Sequence, residues 1–177
     1  PSLSDEEIAA IVKWVDAGAP RGNPADMPPL RQFADTNEWQ IGKPDLIVKF
    51  PAYTVPAAGP DLFGNLYAEV PIAKDRYIKA IESKPGKTAV VHHLLTYAVD
   101  ADASGDSNGD DSSAEAGEFL NEFAVGKNGD LFPEGTGRLL KAGSKIKFDF
   151  HYHSVGQEIT DQSQLGIVLY TKGYTPK

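Results

Sequence analysis

The chain has 177 residues, 41% of them hydrophobic, and carries a net charge of −8. That length and apolar content suit one ordinary domain with a short appendage, while the negative charge argues against a nucleic-acid partner because no basic patch could neutralise phosphates. The absence of cysteine rules out disulfides, thiolate metal sites and cysteine nucleophiles, and no apolar run is long enough for a membrane-spanning helix.

Residues 4–17 read as a helix. Ser4 and Glu7 form an S-x-x-E capping box, Asp5 and Glu6 suit the positive end of the dipole, and Gly18 follows as a stop. Ile8, Ile11, Val12 and Val15 make one apolar face with Trp14 on its flank, a stripe that calls for a packing partner. Pro1 opens directly onto this helix without a signal sequence, so the chain is expected to be an excised or mature piece. Residues 18–29 (GAPRGNPADMPP) are a Pro/Gly-rich linker. Residues 1–38 therefore separate as helix and linker from a second domain, residues 39–177.

From Trp39 onward the texture changes to short β-like runs: Asp45–Phe50, Asn65–Ile72, Arg76–Glu82, Ala89–Val99, Lys145–Ser154 and Gln164–Thr171. The turn signals PAAGP, SKPGK, PEGTG and KAGSK separate them. Strands without intervening helices predict an all-β fold, an antiparallel β-sandwich or jelly roll with one N-terminal α-helix. Gly117–Ala124 fits either a strand or a helical turn. The acidic stretch Asp100–Glu115 is expected to be a solvated loop overhanging any site built by the preceding strand. Within it Asp100, Asp102, Ser104, Asp106, Asn108 and Asp111 approach the spacing of a calcium loop, although the flanking helices of an EF-hand are not evident.

All four histidines fall into two clusters, His92–His93 in VVHHLLTYAV and His151–His153 in FDFHYHSVG, about sixty residues apart. Neutral imidazole is the commonest metal ligand, and each pair lies in an apolar run where an unpartnered ring would be costly to bury. His151 and His153, two apart, share one face of a strand. His92 and His93 point to opposite faces unless the backbone bulges or one ring reaches over. Four such imidazoles suit copper or zinc, with Cu²⁺ ahead on intrinsic affinity, and Tyr97, Phe148, Phe150 and Tyr152 would limit water access. A blue-copper site is excluded without cysteine. The alternatives are ordinary polar histidines on a half-exposed sheet, or a mononuclear copper oxygenase or zinc hydrolase with Asp149 or Glu158 as base.

The histidine spacing and flanks resemble the ascorbate-dependent type II copper monooxygenases, the peptidylglycine α-hydroxylating and dopamine β-monooxygenase family. The motifs are Arg76–Gly86 (RYIKAIESKPG), Val91–Leu95 (VHHLL), Pro133–Gly137 (PEGTG) and His151–Tyr152. The resemblance covers roughly Pro44 to Lys172 and points to the N-terminal, electron-transfer copper domain of that family. It implies His92, His93 and His151 as copper ligands and leaves His153 without a counterpart, as a fourth ligand, an outer hydrogen-bonding partner or a neighbour. The family's catalytic copper belongs to a second domain with an H-x-H pair and a distant Met. His151–Tyr152–His153 has the H-x-H, but no Met follows it and Met27 lies in the linker.

The implied molecule is a copper-binding redox module that cycles Cu(II) and Cu(I) and feeds a downstream catalytic copper domain. It forms part of a monooxygenase and is not catalytically complete alone. LSDEEIAAIVKWVDAGAP further resembles the last helix of a bacterial c-type cytochrome, but no C-x-x-C-H is present to attach haem. That likeness implies a cytochrome c-like domain as electron donor, with a small reductant as the alternative, in a periplasmic or extracellular bacterial setting. The other reading of the helix is an amphipathic segment packed on the sandwich, and that of the whole domain is a non-enzymatic binding or assembly module.

Overall fold

In a computed structural model, which describes residues 2–29, 38–103, 117–127 and 129–176, the chain falls into two units, Pro1–Asp35 and Thr36–Lys177. The first unit is built on helix α1, Asp5–Asp16. Its capping box forms in both directions: the Glu7 N–H donates to Ser4 Oγ at 3.3 Å, and the Ser4 N–H donates to Glu7 Oε2 at 2.7 Å. Gly18 at φ +85° ends the helix, and the Trp14 indole N–H donates to the Pro20 carbonyl. No residue of α1 is buried within this unit. None of the described helices is long and apolar enough to cross a membrane.

Among the described residues the second unit contains eleven strands: β1 Leu46–Lys49, β2 Tyr53–Val55, β3 Leu62–Glu69, β4 Arg76–Lys84, β5 Val91–Val99, β6 Glu118–Ala124, β7 Asp130–Leu131, β8 Arg138–Leu140, β9 Lys145–Tyr152, β10 Ile159–Asp161 and β11 Gln164–Leu169. One sheet runs β1-β11-β4-β7 with β8 also on β4, a second runs β3-β9-β5-β6, and β2 pairs β10. All pairings are antiparallel. Val48, Ile78, Ile81, Leu165 and Ile167 from the first sheet join Leu94, Leu120, Ile146, Phe148, Phe150 and Tyr152 from the second in a single buried cluster. The result is the antiparallel β-sandwich the alternating pattern predicts.

Strand β9 shows how the sequence makes this core. In KIKFDFHY the even positions, Ile146, Phe148, Phe150 and Tyr152, are buried, while Lys145, Lys147, Asp149 and His151 occupy the other face. Two buried polar groups bind elements together. Asp161 accepts from the Tyr152 hydroxyl at 2.8 Å, from the backbone and side chain of Ser163, and from the Lys87 N–H. Asn121 accepts from the Ser83 N–H at 2.7 Å and so joins β6 to β4 across the sandwich.

One open alternative is settled and two details differ from the expectation. Of the strand and the helical turn that Gly117–Ala124 allows, the strand forms, as β6 over Glu118–Ala124. Strands β2, β7, β8 and β10 run two or three residues each, too short for an alternating pattern to register. Strand β3 begins at Leu62 and not at Asn65. Gly64 interrupts its hydrophobic pattern, yet glycine is required there: a Cβ would stand 2.7 Å from Cζ of Phe150, its partner across the ladder.

Candidate metal centre

The second sheet brings His92, His93 and His151 together through an irregularity in β5. Val91 pairs with Tyr152 and His93 with His151, so two steps along β5 span one step along β9. His92 is the extra residue of a β-bulge. The burial pattern gives the same picture, since Val91 and Leu94 are 2% and 0% exposed and the two histidines lie between them. A regular strand has room for one outward residue between two inward ones; this strand has two. The bulge is the condition under which adjacent histidines can serve one ion.

The geometry suits a metal. His92 Nδ1 and His93 Nδ1 stand 3.1 Å apart, and one ligand atom from each of His92, His93 and His151 lies within 4.8 Å of the others. With metal–nitrogen bonds of about 2.0 Å, a 3.1 Å separation subtends about 100° at an ion. Two ligands of one ion can stand at most about 4.1 Å apart, so a 4.8 Å spread must close by at least about 0.7 Å for all three nitrogens to reach one ion. These three residues could hold a metal ion, and they are the group among the described residues with that property.

The setting is the outward face of the sheet, not its interior. His92 is exposed and His93 and His151 are half-buried, which corrects the buried placement their apolar flanks suggest. Their hydrophobic neighbours face the other way: Phe148, Phe150 and Tyr152, expected to screen the site, are core residues. Tyr97 does face outward, but it packs edge-on against Phe119. The aromatic at the site is Phe63, stacked on His151 with ring centroids 4.2 Å apart. It and the Asp61 carboxylate escaped the sequence reading.

Asp61 holds both members of the second histidine cluster. Its Oδ2 lies 2.7 Å from His151 Nε2 and its Oδ1 lies 2.7 Å from His153 Nδ1. Those two bonds, from His153 first and His151 second, hold the Asp61 carboxyl below the usual carboxylate range. His153 thus sits with His151 on a common carboxylate and outside the three-imidazole group. Burial, reinforced by repulsion from His151 and His92, pushes the His93 imidazole below its ordinary value and favours the neutral, metal-binding form. Burial likewise raises the Asp149 carboxyl, against the attraction of Lys147 and His93. Glu158 lies exposed in the turn before β10.

Of the calcium-loop residues, Asp100 and Asp102 are in the turn that follows β5, while Ser104, Asp106, Asn108 and Asp111 lie outside the described residues. Comparison with known proteins found no family model and no curated sequence that matches the chain.

Proposed function

We propose that the sandwich is a copper-binding redox module, with His92, His93 and His151 as ligands, similar in role to the electron-transfer half of an ascorbate-dependent copper monooxygenase. The observation that carries this reading is the bulge, which turns two consecutive imidazoles to one face beside a third. Neutral imidazoles with no thiolate suit copper, and copper supplies one-electron chemistry by alternating between Cu(II) and Cu(I). The protein's share is to hold three nitrogens, keep His93 neutral and leave the His92 edge open to solvent, where a redox partner can approach. The donor in this reading is a cytochrome c-like domain or a small reductant, and the acceptor is a catalytic copper domain, in a periplasmic or extracellular setting.

Copper titration followed by electron paramagnetic resonance tests the proposal. One Cu²⁺ per chain is expected, with nitrogen couplings from imidazole. His92→Ala, His93→Ala and His151→Ala should each remove most of the affinity, and His153→Ala should weaken it less. Full affinity in His92→Ala would end the assignment. Asp149 favours one competing reading, zinc-dependent hydrolysis, because its carboxyl is raised by burial and interacts with His93. Ester hydrolysis by the zinc-loaded protein that is lost in Asp149→Asn would decide for it.

A further inference from the structure

We infer that Asp61 is a positioning residue for this centre: its carboxylate fixes the His151 tautomer so that Nδ1 is the nitrogen left for a metal, and His153 anchors the carboxylate. The inference rests on the three-histidine reading above and adds two residues to it. Asp61 immediately precedes β3, and the ladder pairs Leu62 with Tyr152 and Phe63 with His151. Continued by one step, that register sets Asp61 opposite His153 and diagonal to His151 on the outward face. The carboxylate then reaches both rings at 2.7 Å, with one oxygen for each.

An ionised carboxylate can only accept hydrogen bonds, so His151 Nε2 carries the proton. In the neutral ring the lone pair is then on Nδ1. Metal-bound histidines ordinarily donate their second nitrogen to a carboxylate or carbonyl, which sets ring orientation and raises basicity. The second bond, from His153, keeps the carboxylate from swinging away, and Phe63 stacked on the His151 ring restrains the ring itself. The clasp is not needed to join the strands, because eight residue pairs from Leu62 to Glu69 already bind β3 to β9. His153 is 63% exposed and His151 only 11% exposed, as expected if His153 is the outer support and His151 the ligand.

Nitrogen-15 spectra of the histidine rings in the metal-free protein, together with copper titration, test this on Asp61→Ala and Asp61→Asn. Wild type should show His151 as the Nε2–H tautomer. Asp61→Ala should release that preference and lower copper affinity by about 10–100-fold, the usual cost of losing an outer partner. Its metal-free melting temperature should stay unchanged. Asp61→Asn, whose amide oxygen can still accept from Nε2–H, should keep the tautomer and lose less affinity. Unchanged copper affinity in Asp61→Ala overturns the inference, as does a loss of affinity with the tautomer unaltered. If wild type takes up no copper, the redox reading fails, and Asp61 stands or falls on the tautomer alone.

Discussion

Deleting His92 outright should abolish the metal site and leave the sandwich intact. Val91 already pairs with Tyr152 and His93 with His151, neighbouring rows of β9. Excising the extra residue therefore restores a regular strand, Val91 inward, His93 outward and Leu94 inward, with every pairing kept. No buried side chain changes face, so unfolding free energy should stay within about 1 kcal/mol of wild type, the range of substitutions that spare the core. The competing possibility is that the deletion drags the upstream chain by one residue. A one-residue slip exchanges the two faces of a strand and would turn Val91, now 2% exposed, to solvent. At about 1.5–3 kcal/mol for a fully buried valine, that slip costs about 1.5–3 kcal/mol.

Urea denaturation separates these values readily, and copper titration of the same preparation reads the site. Native stability with copper binding lost is the expected result. A loss of about 1.5–3 kcal/mol or more, or retention of three-imidazole copper binding, would refute the account of the bulge as a device serving the site and not the fold.

Two further outcomes follow from the same geometry. Gly64→Ala places a methyl 2.7 Å from Phe150 Cζ, an overpacking that should cost about 1–3 kcal/mol by denaturant titration; a neutral effect would mean the ring has room to withdraw. The metal-free protein should also lose stability as pH falls through the window below about 6.5, because His93 is depressed in the folded state and protonates more readily when unfolded. The folded state then binds fewer protons than the unfolded one, so stability rises with pH across that window and levels off above it. His93→Gln should flatten this dependence in melts taken between about pH 7.5 and 5.5.

Alternating residues made most of the sandwich legible. KIKFDFHY alternates between buried aromatic or aliphatic residues and polar ones, and the capping box of α1 names its own start. What escaped was short or non-local. Strands of two or three residues such as β7 and β8 exist because β4 offers a free edge, not because of their own pattern. The outward setting of the histidines was hidden because apolar neighbours in a strand say nothing about the face of the residue between them.

The two misses at the site have one cause. Val-His-His-Leu places two polar residues where a strand allows one, so the need for a bulge can be read from those four residues alone. Asp61 offers no such signal, since an aspartate after Pro60 looks like any other turn residue. Its role emerges only from the register of β3 on β9, and that register was obscured by Gly64, which delays the apparent start of the strand to Asn65. A strand starting at Asn65 would leave Asp61 four residues outside the ladder, with no reason to meet His151. The actual start at Leu62 brings it one step from the ladder, opposite His153. Gly64 is there for the sake of Phe150, so a packing demand in the core hid the strand boundary and, with it, the carboxylate that orients His151.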